Sequence, residues 1–335
     1  MKGEARLIDV ATTAGVSLRT ASRVLNGDHR VADTTRDRVS TAMRDLDFQP
    51  DMMARSLRAG TDTAIGFVVE SIADPFFAAL IDTVETEMAR EGRSVLVAST
   101  HRDHEQEHAV IRRMMQRRVA GLLLAPTGQD SAWLSTVKTP VVLVDRGVRG
   151  AVADLIDIDD RQAAFDAVTH LIDHGHRRIA YIGDSSAIPT SAARLRGYHD
   201  ALRAHGFDVQ DDPVASTAAT SREAAEAANA LIDKAGRTSP DAPTAIFSAT
   251  TRASLGAIPV LHSRGRTDLA FVGLGDFAMA DALVPGVTVI DHSGTRVGHA
   301  AAQRLLARLN DGELPVQHIR LSAPLVPRGS GELHP

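Results

Sequence analysis

The chain has 335 residues, enough for two or three domains, and its composition of 44% hydrophobic and 24% charged residues is typical of globular proteins. It has no cysteine, which excludes a disulfide scaffold, thiolate metal sites and a cysteine nucleophile. The total net charge of −5 argues against a nucleic-acid partner, but the charge is unevenly distributed along the chain. Residues 1–60 hold ten Lys or Arg and eight Asp or Glu, a balance of +2, which leaves −7 for the rest.

Targeting and enzyme signals are weak throughout the sequence. We expect no membrane span, because no run of about 18 apolar residues occurs. The N-terminal residues lack the uninterrupted apolar stretch and small-residue cleavage site of a signal peptide, which predicts a cytoplasmic protein. A Gly-x-Gly-x-x-Gly turn, a phosphate-binding loop and a Gly-x-Ser-x-Gly turn are also absent, so we expect neither an enzyme nor a cofactor.

The first 48 residues are predicted to form three short helices. Apolar residues from Leu7 to Ala14 follow helical spacing, Gly15 breaks the pattern, and Ser17 can cap a second helix over 18–25. A third helix follows over 33–46, and Phe48 is expected to cover the shared core. Helix, glycine turn and helix form a helix-turn-helix, whose second helix enters the DNA major groove. A three-helix module without a DNA role stays open at this point.

The second helix carries side chains suited to DNA. Arg19 and Arg23 can read guanine edges through paired hydrogen bonds, and Leu18 can contact a thymine methyl. Short donors that suit phosphates lie on the same helix and just after it: Thr20, Ser22 and Asn26.

From residue 64 the pattern alternates between apolar strands and amphipathic helices. Strands are predicted over 64–70, 94–99, 121–125, 141–145, 155–158, 178–183, 244–248, 268–273 and 288–291, and helices over 76–90, 105–117, 161–174, 192–205, 221–235 and 295–309. This alternation indicates parallel sheets covered by helices on both faces, and the number of strands favours two subdomains with a ligand cleft between them.

A long segment carries a more specific signal. RLIDVATTAGVSLRTASRVLNGDHRVADTTRDRVSTAMRDLDFQPDMMARSLR closely resembles the lactose-repressor (LacI/GalR) family of bacterial transcription regulators, and IGFVVESIADPFFAALIDTVE, RRVAGLLLAP, HLIDHGHRRIAYIGD and ARLRGYHDALRAHG extend the resemblance over nearly the whole chain. The resemblance implies an N-terminal all-α helix-turn-helix domain. It also implies a periplasmic-binding-protein-like α/β body of two doubly wound parallel-sheet subdomains.

The resemblance assigns roles in DNA binding. Leu18, Arg19 and Arg23 match base-reading positions of the family, and Arg30 matches the loop that approaches DNA after the recognition helix. The other positions implied to contact the operator are Leu7, Ser17, Thr20, Ser22 and Asn26. Residues 50–58 match the family's hinge helix, in which Leu57 would wedge into a base step, with Ala54 at the helix pair and Arg55 nearby. Two departures are Asp51 in place of the usual Asn, and Ala32 in place of a capping Ser, whose role Asp33 is expected to take.

The resemblance also predicts an effector cleft. Phe77 and Phe247 match aromatic walls, and Arg194 matches the arginine that donates to effector oxygens. Gly275 and the pair Thr250-Thr251 stand where sugar-binding members have polar anchors, so a typical hexose is disfavoured. The effector would then be larger, less hydroxylated or differently placed, or absent. The full set of predicted effector residues is Phe77, Asp159, Arg194, Phe247, Thr250, Asp276 and His292.

Two further clusters are interpreted as structural. His104 and His108 lie one helical turn apart, a spacing that could bind metal, but the Glu-rich start of the helix favours a solvated face. Asp157, Asp159 and Asp160 could bind Mg²⁺, but a crossover between subdomains is favoured there. No metal site is therefore predicted.

Together these patterns predict a homodimeric, effector-controlled repressor that binds a near-palindromic DNA operator, without a membrane partner. The alternative is a solute-binding protein of periplasmic type. The predicted domains are 1–49 (helix-turn-helix), 50–60 (hinge helix and linker) and 61–335 (effector binding and dimerisation). Within the last, the first subdomain is placed at about 61–159 and 293–320, and the second at about 160–292 and 321–330.

Overall fold

The computed structural model describes residues 5–25, 28, 30–48, 64–128, 132–209, 213–235 and 242–335. The chain divides into two compact units, the head within residues 1–62 and the body within 63–335. No helix of the described residues is long and apolar enough to cross a membrane. The predicted hinge helix lies outside the described residues.

The head consists of three helices: α1 (Leu7–Ala14), α2 (Leu18–Leu25) and α3 (Asp33–Asp45). They enclose a core of small and branched side chains, Val10, Ala11, Ala14, Ala21, Val39 and Ala42, against which Phe48 packs as predicted. Gly15 adopts φ 63°, and a Cβ there would lie 2.7 Å from an Arg38 nitrogen, so the turn between α1 and α2 requires glycine.

The two predicted caps in the head differ in outcome. Ser17 Oγ accepts the Thr20 N–H at 3.1 Å, which confirms it as the cap of α2. The expectation that Asp33 caps α3 is wrong. Ala32 occupies the N-cap without a side-chain bond, because the helix begins at Asp33, whose carboxylate instead lies 3.7 Å from Arg36 Nε.

The body contains two six-stranded sheets, each of which defines a lobe. The first lobe has strand order β11-β5-β4-β3-β1-β2, and the second β12-β10-β9-β8-β6-β7. The strands are β1 (Ile65–Val69), β2 (Val95–Ser99), β3 (Gly121–Leu124), β4 (Val141–Val144), β5 (Asp154–Ile158), β6 (Ile179–Ile182), β7 (Val214–Ala215), β8 (Ala245–Ser248), β9 (Ala270–Leu274), β10 (Thr288–Ile290), β11 (His318–Leu321) and β12 (Leu325–Val326). All pair in parallel except β10 with β12.

Helices cover the sheets and surround four apolar clusters, two in each lobe. They are α4 (Pro75–Arg90), α5 (His104–Gln116), α6 (Asp160–Asp173), α7 (Pro189–Ala204), α8 (Ser221–Ala235), α9 (Thr251–Ser263) and α10 (Gly294–Asn310), with a short 3₁₀ helix at Ala132–Thr136. The chain passes between the lobes after β5, before α10 and between β11 and β12. The carboxyl ends of the parallel strands are therefore followed by loops that can meet at a cleft.

Helix α9 and strands β7, β11 and β12 were not predicted. Pro259 and Gly256 mark a break in the sequence pattern, yet both lie inside α9. Thr250 Oγ1 caps the helix by accepting the Ala253 N–H at 3.0 Å. A Cβ on Gly256 would lie 2.1 Å from the Ser221 carbonyl oxygen, so this glycine allows α9 to pack closely on α8.

Candidate functional sites

The first candidate site is the exposed face of α2 in the head. Leu18 is 47% exposed at the start of the helix and Arg19 is exposed beside it, whereas Ala21 is fully buried in the head core. The helix therefore packs one face against the head core and exposes the Leu18 side chain and the Arg19 guanidinium on the other. A helix that reads the major groove needs such an exposed face. Ser17 and Thr20 share a hydrogen bond of 2.9 Å.

A charge cluster follows this helix. Asp28 Oδ2 accepts from Arg23 Nε at 2.9 Å, and both carboxylate oxygens accept from the Arg30 guanidinium at 3.0 Å. These hydrogen bonds, first from Arg30 and then from Arg23, hold the pKa of Asp28 well below its usual range. Two of the predicted DNA-contacting arginines therefore share one carboxylate partner, which sequence analysis did not predict.

The other residues predicted to contact DNA lie elsewhere in the head or outside the described residues. Leu7 packs against the head core. Ser22 lies on α2 with part of its surface exposed. The predictions for Asn26, Ala54, Arg55 and Leu57 lie outside the described residues.

The second candidate site is the cleft between the lobes of the body. It holds a cavity of about 460 Å³, counted with its open mouth. Four of the predicted effector residues line it: Phe77, Arg194, Thr250 and His292. Loops after the strands and the first turns of α4, α7 and α9 supply most of the wall, as expected for ligand sites in α/β folds.

Arg194 is held firmly at the cavity wall. Its Nε donates to Asp160 Oδ1 at 2.7 Å and its Nη1 to the Ala249 carbonyl at 2.9 Å, and the residue is only 6% exposed. Burial raises the pKa of Asp160 to about 6, although Arg194 opposes this shift. The pair fixes the guanidinium plane, so the arginine is preorganised to donate to oxygen atoms of a ligand.

His292 contributes a neutral polar group to the same wall. Its ring stacks on Phe76 with 4.1 Å between centroids, and burial lowers its pKa to about 3. The buried Nε2 atom finds no hydrogen-bond partner among the residues that the structure describes, and lies 4.0 Å from Asp145 Oδ1. Because a buried polar atom without a partner is costly, this nitrogen is suited to meet a bound ligand.

The other three predicted effector residues do not line the cavity. Phe247 is fully buried in the core of the second lobe, packed edge-on against Tyr181, because β8 is covered on both faces. Asp276 is paired with Arg328, and Asp159 caps α6 by accepting the Gln162 N–H. Asp159 also accepts from Arg320 Nη1 on β11 at 3.3 Å, so both aspartates already have an arginine partner away from the cavity wall.

The departure at Gly275 has a steric reason. This residue adopts φ 94°, and a Cβ there would lie 2.1 Å from Thr251 Oγ1. A side chain at 275 would therefore overlap Thr251 in its present rotamer, and the positive φ itself favours glycine.

The cleft also holds a group of charged residues that the sequence did not predict. They comprise Glu70, Asp74, Arg102, Asp145, Arg146, Asp184 and Arg252. Several directly follow strands: Glu70 comes after β1 and Asp145 after β4, while Asp184 lies two residues beyond β6. Their position at the carboxyl ends of parallel strands is the signal that could have identified them.

Two histidines, His104 and His108, lie outside the cleft in the first turns of α5. Residues 104–108 read His-Glu-Gln-Glu-His, a pattern that also occurs in zinc proteases. The Nε2 atoms of His104 and His108 lie 3.1 Å apart and share a hydrogen bond. Among the described residues, no group of three or more potential ligands could hold a metal ion.

Comparisons with known proteins identify the family of both units of the chain. A family model described as bacterial regulatory proteins of the lacI family matches residues 6–51, and one described as periplasmic binding proteins and sugar binding domain of the LacI family matches residues 62–325. The chain belongs to the LacI family. This membership confirms the resemblance and the predicted architecture, and it makes the protein a transcriptional regulator with a DNA-binding and an effector-binding domain.

Individual relatives of this LacI-family regulator cover nearly its full length. The repressor PurR of Haemophilus influenzae is 32% identical over 320 residues, which span 93% of this chain and 94% of PurR. The regulator GalR of Escherichia coli is 30% identical over 332 residues, which span 97% of this chain and 95% of GalR. The lac repressor dimer bound to operator and the anti-inducer ONPF, 23% identical, superposes with a TM-score of 0.85 over 98% of this chain and 99% of that one. The similarity to this last structure shows the fold.

Proposed function

We propose that this LacI-family regulator is a homodimeric repressor of transcription. Residues 1–49 and the hinge segment 50–60 would bind a near-palindromic operator, while residues 61–335 would bind a small molecule and supply the dimer contacts. Such a protein acts where its operator lies, which places it in the cytoplasm. We infer no enzymatic role.

The exposed face of α2 is the observation that supports operator binding most directly. Leu18 and Arg19 are proposed to read base edges, and Arg23 and Arg30 to contact DNA from the cluster around Asp28. Ser17, Thr20 and Ser22 are short donors on the same surface and suit phosphate oxygens. A two-fold dimer then predicts two half-sites in inverted order.

The cleft supports control by a small molecule. Arg194, His292, Thr250 and Phe77 are proposed as effector contacts, because they line one cavity and two of them, Arg194 and His292, offer buried polar groups. Asp159, Phe247 and Asp276 are not part of this proposal. Since Gly275 cannot carry a polar anchor, we propose an effector other than a simple hexose. Titration calorimetry with a panel of hexoses tests this point, and tight binding of one of them would overturn it.

Operator binding is tested by selecting sequences from random duplex DNA with the full-length protein. We expect a near-palindromic consensus, and binding that weakens steeply as salt rises. Arg19→Ala should cost about 1–3 kcal/mol on the selected operator and relax specificity at one position in each half-site. Arg44→Ala, an exposed arginine on α3, serves as control. Selection without any consensus would contradict the proposal, and an equal loss on all sequences would make Arg19 a phosphate contact.

A further inference from the structure

Four charged residues form an ion-pair cluster that spans the cleft. Glu70 and Arg102 belong to the first lobe, where they follow β1 and β2, whereas Asp184 and Arg252 belong to the second, after β6 and within α9. We call these four residues the cross-cleft cluster. Glu70 and Asp184 are 3% and 4% exposed, so neither carboxylate can be solvated freely by water.

Each arginine of the cluster contacts the opposite lobe. Arg102 donates through Nε to Glu70 of its own lobe at 2.7 Å, and its Nη1 reaches Asp184 of the second lobe at 3.0 Å. A second bond joins Arg102 Nη2 to the same carboxylate, so the pair is bidentate. Arg252 crosses in the other direction, with Nη2 donating to Glu70 Oε1 at 2.7 Å and Nε lying 3.0 Å from Asp74 Oδ2.

The charges of the cluster depend on one another. Burial alone would raise the pKa of Glu70, but the guanidinium groups of Arg146, Arg252 and Arg102 together lower it to about 2. If the lobes separated, Glu70 would lose Arg252, and Asp184 would lose Arg102. Glu70 would keep Arg102 and Arg146 of its own lobe, and Asp184 would keep Arg252 at 3.9 Å, so separation would cost each carboxylate the short bonds from the opposite lobe.

We propose that Arg102 and Arg252 form an ionic bridge that holds the two lobes together across the cleft before any effector binds. This proposal rests on the proposed control by a small molecule. A ligand shifts a conformational equilibrium only through its differential affinity for the two states. An effector that moves the lobes therefore has to break or replace these bonds. The bridge therefore sets the lobe arrangement of the ligand-free protein.

The absence of cysteine allows a direct test on the full-length protein. One spin label is placed at Val152→Cys, 88% exposed in the first lobe, and one at Val284→Cys, 83% exposed in the second. Doubly labelled protein is diluted with unlabelled protein, so that only distances within one chain are measured by pulsed electron spin resonance. The background protein is compared with Arg252→Gln, Arg102→Gln and the double variant.

We expect a longer or broader interlobe distance distribution in each single variant and the largest change in the double variant. Arg264→Gln is the matched control, since Arg264 pairs with Asp233 within the second lobe and should leave the distribution unchanged. An unchanged distribution in the double variant would overturn the proposal. If circular dichroism shows that the double variant is unfolded, Asp184→Asn replaces it, since this change removes only the second-lobe carboxylate. A longer or broader distribution in Asp184→Asn would then support the proposal, and an unchanged one would overturn it. The measurement needs neither DNA nor effector, so failure of operator binding would leave its result valid.

Discussion

The head and the body both place arginines around carboxylates, but in opposite environments. In the head, the side chains of Arg23 and Arg30 are 40% and 83% exposed around Asp28. In the body, Asp154 is fully buried and its partners Arg304 and Arg308 are 7% and 13% exposed. The same chemistry is therefore solvated in one unit and largely shielded from water in the other.

This difference in exposure indicates different roles for the charged residues of the two units. Exposed ion pairs contribute little to stability and can exchange partners at low cost, so the head arginines remain available to phosphates and base edges. Buried pairs are costly to break once formed, so those of the body fix the positions of helices and loops. The comparison predicts that removing a buried charge of the body lowers stability, whereas removing a charge of the head changes DNA binding.

The largest effect is expected at Asp154. Its carboxylate accepts from Arg304 Nε at 2.8 Å, Arg308 Nε at 2.6 Å and the Gln317 N–H at 2.7 Å, which joins α10 to the start of β5. Asp154→Ala leaves two largely buried cations without an anionic partner, although both keep backbone carbonyl acceptors, and should lower the free energy of unfolding by about 3–5 kcal/mol. Urea unfolding followed by fluorescence of Trp133, the single tryptophan and a residue of the body, measures this change.

Asp233→Ala is the matched control for that prediction. Asp233 also pairs with an arginine, Arg264, but its side chain is 60% exposed. Its removal should change the unfolding free energy by about 0.5 kcal/mol or less. Similar losses in Asp154→Ala and Asp233→Ala would show that burial does not separate the two kinds of pair.

An intermediate effect is expected from pH. The pKa of His292 is lowered by burial from 6.5 to about 3, so between these values the unfolded chain binds a proton that the folded chain does not. The contribution of His292 to stability should therefore fall as pH decreases through this window, by up to about 1.4 kcal/mol per pH unit, while Asp160, with its pKa raised to about 6, acts in the opposite direction between pH 6 and 3.8. Glu70, with its pKa lowered to about 2, acts in the same direction as His292 below about pH 4.5.

His292→Phe isolates the contribution of the imidazole. Phenylalanine retains a ring to stack on Phe76 but cannot titrate, so the slope of stability against pH between 6 and 5 should become less positive. His262→Gln, at an exposed position near the end of α9, is the control and should keep the original slope. An unchanged slope in His292→Phe would contradict the assignment of a buried neutral histidine.

The sequence pattern predicted the architecture better than it predicted the cleft. Each of the nine predicted strands exists, because alternating apolar runs and amphipathic helices reflect burial directly. Helix α9 was missed since Pro259 and Gly256 disfavour a helix locally, while packing on α8 and the Thr250 cap stabilise it in the fold. Short edge strands such as β12 depend on partners that are distant in sequence.

Site residues were predictable where a motif or strand end placed them. Arg194 and Phe77 follow from the family resemblance and line the cavity. Phe247 could not be oriented from sequence, because β8 is buried on both faces and alternation carries no information there. The partners of Glu70 come from three segments distant in sequence, so only the folded chain reveals them.

The smallest effect is expected at Asp28 in the head. Asp28→Asn removes the shared partner of Arg23 and Arg30 and should increase affinity for random duplex DNA by a few fold, with a steeper salt dependence because more phosphates are neutralised. Asp33→Asn removes the same charge from the head, but its side chain is 96% exposed beside a single arginine, Arg36. Fluorescence anisotropy at several salt concentrations should show the larger gain for Asp28→Asn. Equal gains in both variants would mean that DNA senses only the net charge of the head, and that the carboxylate shared by the two arginines does not restrain them.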